Sequence, residues 1–119
     1  MMDNKSKLKI CFIGLGVMGS RISKNIARNN FDIALYDISP STRKEFREQG
    51  YYAPEESSDA ARDADMVITI LPTSKTVYDA IFGLNKSGKS LVESVNKNCL
   101  FIDMTTGSLP DLFGLNEKL

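Results

Sequence analysis

Three glycines stand at fixed spacing directly after the first apolar run of the chain. Leu8-Lys9-Ile10-Cys11-Phe12-Ile13 is short, apolar and ends on Gly14-Leu15-Gly16-Val17-Met18-Gly19. Such a run reads as a buried strand. Past it the period changes, because Met18, Ile22 and Ile26 recur every four residues and mark one face of a helix from Val17 to about Asn29. A strand, a glycine turn and an amphipathic helix in immediate succession leave few folds open. In this pattern the first glycine permits a tight turn off the strand and the second lets backbone N–H groups approach a pyrophosphate. The third lets helix and strand pack closely. The helix that opens here aims its free N–H groups and positive dipole end at the same place.

The remainder alternates in the same way. Asp32 to Tyr36 reads as a second strand, stopping at Asp37. Ser39-Pro40 is a cap followed by proline in the first turn, and predicts a helix to Gln49 with Gly50 as its C-terminal cap. A short polar helix is expected over Ser57 to Ala64, a strand over Met66 to Leu71 halted by Pro72, and a helix from Lys75 to Phe82. A weaker helix is expected from Ser90 to Asn96, a last strand over Cys99 to Ile102, and the start of a further helix from Pro110. Strands alternating with helices predict an α/β chain with a mostly parallel, doubly wound sheet of Rossmann type in a single domain, residues 8–119, behind a disordered tail of residues 1–7. Right-handed crossovers then align Gly14, Asp37, Leu71 and Asp103 along one edge, where open α/β sheets bind ligands.

Asp37 strengthens the nucleotide reading, because an acid at the end of the second strand, about 20 residues past the glycine turn, is the confirming context for the motif. A carboxylate there accepts the hydroxyls of an adenosine ribose and repels a 2′-phosphate, so NAD is favoured over NADP. The plainer alternative for Asp37 is a solvated turn residue. Arg43 reads as a solvated helix charge rather than a phosphate ligand. A rival motif, Gly83-Leu84-Asn85-Lys86-Ser87-Gly88-Lys89-Ser90, satisfies the P-loop pattern. Its context argues against a phosphohydrolase, since a P-loop leaves a buried strand and Val77 and Ile81 before it sit at helical spacing.

Composition narrows the rest. Lysine plus arginine equals aspartate plus glutamate at 15 each, which gives no electrostatic reason to expect nucleic acid or an anionic membrane. Histidine is absent, which argues against a serine–histidine triad and against zinc chemistry, so no metal ligands are assigned. Cys11 and Cys99 lie in apolar runs and read as reduced, buried thiols. No apolar run approaches the roughly 20 residues of a membrane span, and a cytoplasmic location is expected, or a mitochondrial matrix one if a targeting segment has been removed.

Three blocks in series carry a family resemblance. Phe12 to Ser20 with Tyr36-Asp37, then Val67 to Ser74, then Ile102-Asp103-Met104-Thr105-Thr106, resemble the β-hydroxyacid dehydrogenases, most of all their 3-hydroxyisobutyrate branch. The resemblance implies that the glycine turn with Leu15, Val17 and Met18 cradles the pyrophosphate and that Asp37 takes the adenosine ribose. It implies further that Leu71 and Pro72 lie along the nicotinamide-side ribose, with Thr76 in a loop position that contacts coenzyme and Thr106 near the nicotinamide. Pro110 falls four residues after Thr106, where the family has it three residues after, a one-residue insertion beside that position. The family's substrate segment, catalytic lysine and helical domain lie downstream of Leu119, so no catalytic residue is assigned here. The expected function is the NAD(P)-binding domain of an oxidoreductase that moves hydride to or from a short-chain 3-hydroxyacid. That substrate would bind only in the full-length enzyme, and this chain alone would be inactive. A stand-alone nucleotide-binding regulatory module is the alternative. Without the helical domain, exposed apolar surface is expected to promote self-association into a homo-oligomer.

Overall fold

The structure, a computed structural model, describes residues 8–104. The expected tail of residues 1–7, the expected helix from Pro110 and the position of Thr106 lie outside the described residues.

Four strands form one parallel sheet: β1 (Lys9–Ile13), β2 (Asp32–Tyr36), β3 (Met66–Thr69) and β4 (Leu100–Asp103), in the order β2-β1-β3-β4. Helix α1 (Val17–Arg28) joins β1 to β2, α2 (Pro40–Glu48) and α3 (Ser57–Ala60) lie between β2 and β3, and α4 (Ser74–Phe82) follows β3. Side chains alternate across each strand, which divides the core in two. Ile10, Phe12, Leu35 and Ile68 pack with Ile22, Ile26 and Phe46 from α1 and α2 on one face. Cys11, Ile13, Ala34 and Val67 pack with Ala60, Val77, Ile81 and Leu91 on the other. The sheet is therefore covered on both sides, as a parallel sheet requires.

A feature with no strand signal in the sequence completes the topology. Leu35 donates its N–H to Tyr52 O at 2.8 Å, and Ala34 and Tyr52 form a single parallel bridge outside β2. The segment after α2 thus touches the sheet edge for one residue before α3 carries the chain to the opposite face. The switch of faces places the topological crevice between the ends of β1 and β3.

Several element ends differ from the sequence reading. The polar helix at Ser57 stops at Ala60 instead of Ala64, because Asp63 takes a left-handed φ of 58°. The stretch from Ser90 to Asn96 yields only a 3-10 turn, Leu91–Glu93, pinned by Ser90 and Glu93 in a capping box. Strand β3 ends at Thr69 rather than Leu71, although Ile70 still donates to Ile13 O at 3.0 Å. Strand β4 runs one residue later than expected, Leu100–Asp103 against Cys99–Ile102. On α1 the buried face is Gly19 and Ser23 with Ile22 and Ile26 beside them, while Met18 is 63% exposed. Glycine and serine let that helix approach the sheet closely, which apolar periodicity cannot report. Cys11 is buried as expected, but Cys99 is only partly so. Leu100, Ile102 and Met104 leave much of their surface exposed along β4.

Candidate functional site

The glycine turn is built by what its residues exclude. Gly14 has φ +105°, and a Cβ there would stand 2.1 Å from Ile70 O. A Cβ on Gly19 would stand 1.9 Å from Gly14 O and 2.9 Å from Ile70 Cγ2. These two glycines let the start of α1 press onto the ends of β1 and β3. Gly16 is different. Among the described residues nothing lies within 4 Å of the Cβ it lacks, so its open side meets none of them. It is also the N-cap of α1, and among the described residues no side chain caps that helix. The first amides of a helix have no carbonyl one turn back, so an uncapped helix start beside an open glycine is a place where an anion's oxygens can be met by N–H groups. The fit of a pyrophosphate here rests on that combination.

Asp37 is tied to the same turn. Its Oδ2 accepts the N–H of Leu15 at 2.8 Å, and its Oδ1 accepts the N–H of Ser39 at 2.9 Å. One carboxylate thus links the glycine turn, the end of β2 and the cap of α2, whose Ser39 hydroxyl accepts the N–H of Thr42 at 3.3 Å. The Gly14 amide donates to Tyr36 O at 2.9 Å and closes the same corner. Ile38, next to Asp37, is 85% exposed and gives the corner an apolar surface. A merely solvated Asp37 does not describe this geometry.

The reading of Arg43 as a solvated helix charge is overturned. Its guanidinium is buried, with Nη1 donating to Asp37 O at 2.8 Å and Ile38 O at 3.2 Å, and Nη2 to Glu55 Oε1 at 2.9 Å. Glu55 also pairs with Arg47 at 2.8 Å. The Glu55 carboxyl is held below the ordinary glutamate range, first by the hydrogen bond from Arg43. Burial pushes the Tyr36 phenol above its ordinary value, against the nearby Arg43 charge.

At the other side of the crevice, Leu71 and Pro72 leave the sheet beside Gly14, and a Cβ on Gly14 would lie 3.2 Å from Leu71 Cδ2. Thr76 stands two residues into α4 and forms a capping box: Thr73 Oγ1 accepts the Thr76 N–H and Thr76 Oγ1 accepts the Thr73 N–H, both at 3.1 Å. Its hydroxyl also donates to Thr73 O at 2.6 Å. On the last row of the sheet Thr69 Oγ1 donates to Asp103 Oδ1 at 3.0 Å, tying β3 to β4. The turn, Asp37 and the Leu71-Pro72 segment are therefore brought to one edge, with Thr76 just inside α4.

The segment from Gly83 to Ser90 is not a P-loop. It follows α4 rather than a strand and precedes a three-residue 3-10 turn rather than a full helix. Asn85 and Lys89 fold it back on itself (Asn85 N to Lys89 O, 2.7 Å), and Ser90 Oγ is spent on Glu93 Oε2 at 2.9 Å. Lys89 lines a cavity of about 300 Å³ together with Arg62, Glu56, Asp59 and Glu93. That mixed-charge lining gives no net attraction for a phosphate, and none of the expected coenzyme contacts borders it.

Comparison with known proteins bears on the family and the fold. Residues 9–119 match the NAD binding domain of 6-phosphogluconate dehydrogenase. Mitochondrial 3-hydroxyisobutyrate dehydrogenase of Homo sapiens is 37% identical over 101 residues, covering 85% of this chain and 29% of the relative. The 3-sulfolactaldehyde reductase of Escherichia coli is 31% identical over 97 residues, 82% of this chain and 31% of that protein. The solved structure of 3-hydroxyisobutyrate dehydrogenase from Mycobacterium tuberculosis with L-serine superimposes with a TM-score of 0.81 at 26% identity, covering 94% of this chain and 36% of the other. The chain thus spans about a third or less of the relatives it matches.

Proposed function

This chain belongs to the family of NAD-binding domains found in 6-phosphogluconate dehydrogenase, and from that premise we propose that it holds the coenzyme of a hydride-transferring 3-hydroxyacid dehydrogenase. The relatives named 3-hydroxyisobutyrate dehydrogenase and 3-sulfolactaldehyde reductase support that reaction class. The nicotinamide supplies or takes the hydride when bound, and the residues described here serve to hold and orient the dinucleotide. Gly16 and the opening amides of α1, at Val17 and Met18, receive the pyrophosphate, with Leu15 in the same turn, its own N–H held by Asp37. Gly14 and Gly19 keep the helix start against the sheet. Leu71 and Pro72 flank the nicotinamide-side ribose, with Thr76 and Thr106 completing that side. The substrate's own contacts belong to sequence beyond the blocks matched here.

The observation that carries the reading is the engagement of Asp37. A carboxylate offers about four lone-pair directions, and two of its own are taken by the N–H groups of Leu15 and Ser39. The remaining two suit the two hydroxyls of a ribose. A 2′-phosphate brings acceptors and negative charge where a negative acceptor already stands, so the reading favours NAD over NADP. Titration calorimetry with NAD⁺ and NADP⁺ tests it. Saturable NAD⁺ binding is expected, with NADP⁺ at least tenfold weaker, and Asp37→Ser should reduce that gap. Equal affinity for the two coenzymes in the unmodified chain would remove the preference. Absence of saturable binding to either would remove the coenzyme reading.

A further inference from the structure

We propose that Arg43 is a positioning residue of the adenosine corner and that Glu55, by holding it, sets the preference for an unphosphorylated ribose. The inference rests on the coenzyme reading above and adds two residues to it. Arg43 lies one turn into α2, and a helical side chain leans toward the N-terminus of its helix. It therefore reaches back over the loop that carries Asp37. Its Nη1 spans the carbonyls of Asp37 and Ile38 at 2.8 and 3.2 Å, and its guanidinium carbon sits 5.3 Å from the centre of the Tyr36 ring.

Asp37 is consequently clamped at both ends. Arg43 holds its carbonyl, while the N–H groups of Leu15 and Ser39 hold its carboxylate. Fixing the peptide after Asp37 fixes the direction in which the carboxylate leaves the backbone, and so the direction of its remaining lone pairs. The second consequence concerns charge. A cation one turn into α2 is placed to answer a ribose phosphate, yet Arg43 as a residue is 6% exposed, and both its Nη groups are engaged, Nη2 by Glu55 at 2.9 Å. Glu55 itself is well exposed and shared with Arg47. The pair thus supports the diol-accepting carboxylate and withholds a positive charge from the competing coenzyme.

Two kinds of variant separate these effects. Arg43→Met keeps the apolar stem and removes every donor; Arg43→Lys keeps one cationic donor. Glu55→Gln removes the charge that neutralises the guanidinium while leaving the Asp37 loop alone. Affinities for NAD⁺ and NADP⁺ would be measured by calorimetry on the whole chain. The Leu15 and Ser39 amide resonances, read by NMR, report the Asp37 carboxylate directly. In Arg43→Met, NAD⁺ binding should weaken by about five- to tenfold, the loss of roughly one hydrogen bond, with both amides shifted and NADP⁺ less affected. Arg43→Lys should recover part of the NAD⁺ affinity. In Glu55→Gln, NAD⁺ affinity should stay within about twofold while NADP⁺ binding tightens, so the ratio narrows from the opposite side. A folded Arg43→Met that weakens both coenzymes equally, or leaves the two amides unmoved, overturns the positioning role. If Arg43→Met fails to fold, Glu55→Gln decides, and an unchanged coenzyme ratio in it overturns the specificity role. Failure of the unmodified chain to bind either coenzyme overturns the underlying reading instead, and is distinguishable because it appears before any substitution.

Discussion

Gly16→Ala and Gly19→Ala are the same chemical change three residues apart, and the structure assigns them opposite consequences. At Gly19 the added methyl would sit 1.9 Å from Gly14 O and 2.9 Å from Ile70 Cγ2. Relief requires a shift of more than about 1 Å to reach ordinary contact. Gly14 O cannot yield alone, because the same residue donates to Tyr36 O at 2.9 Å and has a φ of +105°. Overpacking of this severity costs about 2–4 kcal/mol, against a total of about 5–15 kcal/mol for a domain of this size. At about 4–8 °C per kcal/mol, the melting temperature should fall by roughly 10–25 °C. At Gly16 the methyl meets none of the described residues within 4 Å, and φ −69°, ψ −165° is an ordinary conformation for alanine. The weaker N-cap and the stiffer unfolded chain oppose each other, so stability should stay within about 1 kcal/mol. The same methyl stands at the proposed pyrophosphate site, and NAD⁺ affinity should fall at least tenfold, about 1.4 kcal/mol. Thermal melts and calorimetry on both variants make the test. A Gly16→Ala chain that binds NAD⁺ as the parent does, or a Gly19→Ala chain that melts with it, would refute the argument.

Thr76→Ala removes one arm of the α4 capping box and should cost about 1 kcal/mol in denaturant unfolding, whereas Thr76→Ser should retain most of it. The Glu55 carboxyl ionises more readily in the fold than in the unfolded chain. Its contribution is therefore complete above the ordinary glutamate pKa and is lost as the pH falls through the lowered folded value. Melting temperature measured from pH 6 down to pH 3 should accordingly drop more steeply in the parent than in Glu55→Gln; parallel curves would contradict the Arg43–Glu55 pairing. Burial raises the Cys11 thiol far above its ordinary value and, with Asp65 adding to burial, the Cys99 thiol to about 11. At pH 8 only about one Cys99 in a thousand is thiolate, so a thiol-specific reagent should label both residues on unfolding and neither at speed before it. The apolar row of Leu100, Ile102 and Met104 predicts concentration-dependent association in sedimentation velocity, reduced by Leu100→Lys; a monomer at every concentration would count against it.

The parts of this fold that sequence makes legible are those whose cause is local. Ser39-Pro40 and Gly50 bound α2 because a cap, a fixed φ and a left-handed glycine each act within one turn of chain. Gly50 does adopt φ +97°. The glycine turn is legible for the same reason, since its strand, its turn and its helix are contiguous. Asn29 and Asn30 end α1 as read, with Asn30 at φ 66°. The 3-10 turn at Leu91 misleads because Ser90 and Glu93 make a helix-start signal that no following helix uses. Tyr52 misleads in the opposite direction: a single bridging residue has no period to detect.

Arg43 marks the boundary between the two regimes. In sequence it is one charge among several on a polar helix, and an exposed position is the ordinary fate of such a residue. What reverses that fate is Glu55, twelve positions on and delivered by the turn at Tyr52, together with two carbonyls at the end of β2 and the face of Tyr36. None of these partners is one helical turn away, so no pattern on α2 announces them. Burial of a guanidinium costs least when its donors are satisfied. Here Nη1 meets the backbone oxygens of the Asp37 loop and Nη2 meets Glu55, while Nε has no hydrogen-bond partner among the described residues. The charge that looked like surface decoration is thereby coupled to the carboxylate of Asp37, to which the proposed coenzyme preference is assigned. The glycine turn can be read from the chain, but the orientation of its acid depends on a long-range contact that appears only when α2 and the Tyr52 segment are folded against the sheet.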